Sequence, residues 1–252
     1  MKLSLRLIAL HARYWLADPT EVRGFIEQLE GGSVMNRASR PFQFYSASYV
    51  TRIDNERATN LGELRDGIER CTDASIFYHT FQSLGRHHFL TEGFSNDFAQ
   101  WILAALNRPG LAEQLAGIDI RSHVDLHELR KDVLHVVDEF CHAHPGDVRR
   151  PAFEPFYFLS SIEVVVPLGW EAWTLGEFRY WLEHVGHASF HFHFLVSRLR
   201  LHLQSNDFSV WFKEGLGLDR LARLADRIDI STDTLDGGKA RLLALVDREL
   251  AA

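Results

Sequence analysis

The chain has 252 residues, of which 46% are hydrophobic and 24% charged, which is ordinary for a globular protein and enough to bury a core as one large domain or two small ones. A formal charge of -7, with Lys and Arg dispersed among Asp and Glu, leaves no basic stripe for a phosphate backbone, so nucleic acid is excluded as an expected partner. No run approaches the 18 or so apolar residues of a membrane span, the opening Met1 to Leu10 segment is broken by Arg6, and Cys71 and Cys141 form no C-x-x-C pair. The expectation is a cytoplasmic protein with reduced thiols, no membrane partner and no zinc knuckle. The sequence names no cofactor. Protonating all 14 histidines would carry the formal charge from -7 to +7, so self-association into a homo-oligomer is expected to depend on pH.

In chain order, Asp18-Pro19-Thr20-Glu21 reads as a capping box with proline at N1, opening a helix that ends by Gly31-Gly32 within an N-terminal extension of residues 1–40. From residue 41 the chain repeats itself. Residues 41–90 align without a gap to residues 155–204, with 17 identities against the roughly 3 that composition alone would give. A four-residue deletion after Leu90 then brings Ser95-Asn96-Asp97-Phe98 onto Ser205-Asn206-Asp207-Phe208, and Trp101 onto Trp211. Residues 41–141 and 155–250 are therefore read as two diverged copies of one unit, joined by a linker at 142–154 that contains Pro145-Gly146.

Each copy opens on an aromatic, β-branched stretch, Phe42 to Ile53 and Phe156 to Val166, for which extended structure is expected and which could pair across the copies. A short helix follows, capped by Asn60 with Glu63 and by Thr174 with Glu177. A longer second helix should run from near Asp73 or His187 past His88 or His202. The third begins at Ser-Asn-Asp, with Phe98 and Trp101, or Phe208 and Trp211, sharing a face. The fourth follows Asp125, with Leu126, Leu129, Val133, Val136, Val137 and Phe140 on one stripe, and has its counterpart near Leu235 to Leu250. The expected fold is mainly α: a tandem duplication of a roughly four-helix unit, with one short strand opening each copy at most, in a pseudo-twofold arrangement.

The segments SIFYHTFQ, HHFLTEGFSNDFAQW, LAEQLAGIDI and LHELRKDVLHVVDEF, with SNDFSVW in the second copy, resemble the bacterial domain-of-unknown-function family 5752, DUF5752, over about residues 41–250. The resemblance implies no reaction. The second copy departs from it at Phe194 for Thr80 and Val196 for Gln82, so polar chemistry shared by His79, Thr80 and Gln82 would belong to the first copy alone.

The Ser-Asn-Asp triplets are first of all helix caps, Ser95 or Asn96 capping and Asp97 favoured by the helix dipole. Read functionally, an exposed helix start with an amide and a carboxylate would bind a polar ligand. His79 with Arg86 and His193 with Arg200 are seven residues apart and share a face. His184, His187 and His191 have a metal-compatible spacing, but Gly186 interrupts it, so no metal site is assigned. Phosphate-loop, dinucleotide and nucleophile-elbow motifs do not occur. Phe190, Phe192 and Phe194, with Trp181 and Trp211, are read as packing. The resulting expectation is a non-enzymatic module that binds a protein or small polar ligand near the repeat interface, at a site lined by His79, Asn96, Asp97, His193, Asn206 and Asp207. The alternative is a metal-dependent or acid/base enzyme with His79 as base and Asp97 as its orienter or as a ligand.

Overall fold

The computed structural model describes residues 37–83, 94, 96–202, 204–229 and 234–252. The helix expected between Asp18 and Gly32, together with Arg86, His88 and Ser95, lies outside the described residues.

Two strands organise the rest. In β1 (Phe42–Ala58) and β2 (Phe156–Ala172), buried Phe42, Phe44, Phe156 and Phe158 alternate with exposed Gln43 and Tyr157, the period of two that a half-buried strand requires. The strands pair antiparallel from Phe42 against Ala172 to Ala58 against Phe156. Tyr49 faces Glu163, 114 positions further on, so residues equivalent in the repeat alignment meet at the centre of the ribbon. The register slips between Gln43 and Tyr45 and between Ile53 and Arg57, giving a bulge at each end. Each slip surrounds a phenylalanine, Phe44 or Phe158, that is at most 1% exposed.

The strand ends carry their aromatic rings into the opposite half of the chain. Phe42 packs against His193, Phe178 and Phe208, with ring centroids 4.9, 5.4 and 5.4 Å away. Phe156 packs in the same way against His79 at 4.7 Å, Phe98 at 5.4 Å and Trp101 at 5.7 Å. The indole N–H groups close these contacts: Trp101 Nε1 donates to the Glu154 carbonyl and Trp211 Nε1 to that of Arg40, both at 2.9 Å. Each half therefore completes its core with residues from the other.

Helices wrap this ribbon. The first half contributes α1 (Leu61–Arg70), α2 (Asp73–Phe77), α3 (Asp97–Leu106), α4 (Pro109–Ala116) and α5 (Leu126–Ala143). The second contributes α6 (Leu175–His184), α7 (His187–His191), α8 (Ser197–Leu201), α9 (Asp207–Glu214), α10 (Asp219–Asp226) and α11 (Leu235–Leu250). Thr174 and Glu177 form a reciprocal capping box on α6. On α1, Asn60 caps the Glu63 amide, while Glu63 reaches the Thr59 amide and hydroxyl instead of the cap's own amide. Arg65 Nε holds Asp138 of α5 at 2.8 Å, and Arg179 Nε holds Asp247 of α11 at 2.9 Å, tying the short capped helix of each half to its last one.

The expected fold class is corrected. The extended segments are not optional short strands but two 17-residue strands in one antiparallel sheet, and the described helices do not sort into duplicated four-helix units. The long aromatic and β-branched runs favour the sheet throughout. The expected third helix is split in both halves. Asn107 takes a left-handed cap conformation (φ 52°) and Pro109 starts α4, while Gly217 (φ 71°) separates α9 from α10. The expected second helix is interrupted by π-helical turns.

Gly67 on α1 shows how closely the halves approach: a Cβ there would lie 2.4 Å from the ring of Phe158, which is fully buried. Gly67→Ala, although it raises helix propensity, is expected to destabilise the protein by about 1–3 kcal/mol through overpacking. Urea denaturation checks this.

Candidate functional site

The two histidines lie in π-helical turns. Thr72 caps α2, which continues without a break into the π turn Tyr78–Gln82 with His79 in it. α7 continues likewise into the π turn Phe192–Val196 with His193. Such wider turns re-aim side chains and are frequent at functional positions. Facing them, Asn96 and Asn206 cap α3 and α9, placing Asp97 and Asp207 at the first helical position.

Each imidazole bridges an aspartate and a strand amide. His79 Nδ1 lies 2.9 Å from Asp97 Oδ2, and the Leu159 amide of β2 donates to His79 Nε2 at 2.9 Å. His193 Nδ1 lies 2.8 Å from Asp207 Oδ2, and the Tyr45 amide of β1 donates to His193 Nε2 at 2.8 Å. A backbone amide can only donate, so Nε2 is the acceptor, Nδ1 carries the proton, and each imidazole is held as one neutral tautomer. Both rings are 2% exposed.

Ser83 Oγ donates to Asp97 Oδ1 at 2.7 Å, and Arg200 Nη2 donates to both Asp207 oxygens at 2.7 and 2.6 Å. Ser197 Oγ donates to the His193 carbonyl and accepts the Asp207 amide. Burial holds His193 below the ordinary imidazole pKa, and the carboxylate of Asp207 opposes it.

The six residues singled out from sequence thus fall into two sets: His79 with Asp97, and His193 with Asp207. Counted along the ribbon from Leu159 to Pro167, which faces Tyr45, the two sets are roughly 25 Å apart. Asn96 and Asn206 are buried, each with its side-chain oxygen on a helix amide, of Ala99 or Ser209, and its side-chain nitrogen donating to Leu115 O or Asp226 Oδ1. Thr80 bonds back to the Ile76 carbonyl, and Gln82 is buried. His184, His187 and His191 point to different partners, Tyr180 O, Asp236 and Phe81 O respectively. Among the described residues, no three metal-ligating side chains gather. No helix among them is long and apolar enough to cross a membrane. Sequence reasoning missed Ser83 and Ser197, although both are serine at aligned positions. It could not have found the Leu159 and Tyr45 amides, because backbone donors leave no mark in side-chain identity.

The duplicated histidine–aspartate pairs thus sit on an exchanged strand pair wrapped by helices. The chain belongs to DUF5752, a family of unknown function, whose family model matches residues 39–247. It is similar to the solved structure of OrfY from Thermoproteus tenax, with 30% identity and a TM-score of 0.74 over 86% of this chain and 98% of that one. No curated protein matches it.

Because the folded pKa of His193 lies below the unfolded value of about 6.5, the stability it confers is complete above that value and is lost as pH falls through the folded pKa. His193→Gln, which keeps an acceptor but cannot be protonated, is expected to flatten the acid side of the stability curve by up to about 1.4 kcal/mol per pH unit. Urea titrations at stepped pH check it.

Proposed function

We propose that the chain is a non-enzymatic binding module, in which the histidine–aspartate pairs lock exchanged strands and the surface where the two halves meet does the binding. The observation that carries this reading is that both ring nitrogens of His79 and of His193 are already engaged, one with an aspartate and one with a strand amide. A general base needs a lone pair that can reach a substrate proton. At His79 that lone pair accepts the Leu159 amide inside the core, which counts against the acid/base alternative built on His79 and Asp97.

A cytoplasmic setting fits the same reading. Cys71 and Cys141 are free thiols, and burial pushes Cys71 up to about 11 and raises Cys141 as well, so neither is activated for chemistry.

Nitrogen-15 NMR of the imidazoles, combined with diethyl pyrocarbonate modification, tests the proposal. His79 and His193 should show the Nδ1–H tautomer at neutral pH and be modified last, well after His135, whose side chain is 70% exposed. A His79 that reacts as fast as His135 would return the base role to it.

A further inference from the structure

A groove of about 250 Å³ lies where the halves meet beside the centre of the ribbon. Phe77 of α2, Leu126 at the start of α5, and Val196 and Leu199 of the second half give it apolar walls. Ser161 and Glu163 of β2 line it as well, with Arg200 at its edge.

The electrostatics of these polar groups are unequal. Arg200 is already matched by both oxygens of Asp207, so its charge is compensated. Glu163 accepts one hydrogen bond, from the Tyr49 hydroxyl at 3.1 Å, and makes no ion pair with any described residue. Burial and the charge of Glu163 both raise the Tyr49 pKa, so this phenol stays a hydrogen-bond donor to Glu163. Ser161 Oγ is buried and meets no hydrogen-bond partner among the described residues. Buried polar atoms are ordinarily satisfied, so a hydroxyl without a partner in a residue that lines the groove gains one when its side chain turns toward an occupant.

We infer that this groove binds a small primary ammonium ion carried on a short apolar body, with Glu163 as counter-ion and Ser161 Oγ as second acceptor. An ammonium has three donors and no acceptor, which suits one carboxylate and one hydroxyl lone pair. The ring of Phe77, tilted against Tyr49 with centroids 5.8 Å apart, offers an aromatic surface to a cation or to its apolar body. The volume lies below the roughly 300–1,000 Å³ of drug-sized sites, which limits the occupant to about ten non-hydrogen atoms. An anion is disfavoured, because the groove already carries the unmatched charge of Glu163.

The inference rests on the binding-module reading, and its test separates the two. The full chain is titrated with 2-phenylethylammonium, with phenylacetate and 2-phenylethanol as anionic and neutral controls of similar shape, followed by NMR. The amine is expected to bind with a Kd on the order of 1 mM and to shift Leu126, Ser161 and Val196, while both controls bind at least tenfold more weakly. Glu163→Gln should weaken the amine about tenfold and Ser161→Ala about threefold, the loss expected for a charge-assisted and an ordinary hydrogen bond respectively. Equal binding of phenylacetate, unchanged affinity in Glu163→Gln, or no shift at tenfold higher amine concentration overturns the assignment. The His79 and His193 tautomers, recorded on the same samples, decide whether only the groove assignment falls or the lock reading beneath it falls too.

Discussion

A neutral imidazole bridging an aspartate to the backbone amide of an exchanged strand is the contact on which this architecture turns. The register slips beside Tyr45 and Leu159, and the amides of these two residues go to histidines in the opposite half. A buried amide without an acceptor costs about 1–3 kcal/mol, so such a bulge is tolerable only if something accepts from it. Imidazole does so without bringing a charge into the core, provided its proton sits on Nδ1. The aspartate enforces that tautomer. Its own negative charge is then settled at the first turn of α3 or α9, where the helix dipole favours it, and by Ser83 or Arg200. The Ser-Asn-Asp triplet thereby divides its work: the asparagine caps the helix and the aspartate orients the imidazole.

The lock also explains why the aromatic residues sit where they do. Once the strand amide is fixed to His193, Phe42 and Phe44 on the same strand enter the ring cluster of Phe178, Phe208 and Trp211. Phe156 and Phe158 enter the corresponding cluster about His79. Burying such rings stabilises by roughly 1.5–3 kcal/mol each, more than the hydrogen bonds themselves contribute, but burial is indifferent to register. The imidazole supplies the register and the rings supply most of the energy.

Much of this was legible in the sequence, at the level of local chemistry. Asn60, Thr174, Asn96, Asn206 and Asp125 announce helix starts because capping depends on residues two or three apart. The membership in DUF5752 was legible for the same reason, since motifs are local. Pairing of the two opening stretches across the copies was read from the sequence, but which half the ring of Phe42 enters was not, because that depends on contacts between positions more than a hundred residues apart. The breaks at Asn107 and Gly217 were marked by Pro109 and by the glycines, but the expectation of about four helices per copy left one helix for that stretch. The histidine sites were visible as repeated identities. Their meaning was hidden, because half of each site is a main-chain amide.

What the two halves keep and what they change then becomes informative. The lock residues are the same in both: His79 and His193, Asp97 and Asp207, Ser83 and Ser197. The walls of the groove are not. Phe77, Ser161, Glu163 and Val196 align with His191, Ala47, Tyr49 and Gln82, so the corresponding position on the other side would bring together a different set of groups. Tyr49 and Glu163, which occupy one alignment position, meet across the centre of the ribbon as donor and acceptor. An arrangement of two identical halves would have set two tyrosines or two glutamates against each other there. Divergence at this position therefore gives the ribbon a polar direction, with the carboxylate turned to one side only, while the shared locks hold the scaffold unchanged on both.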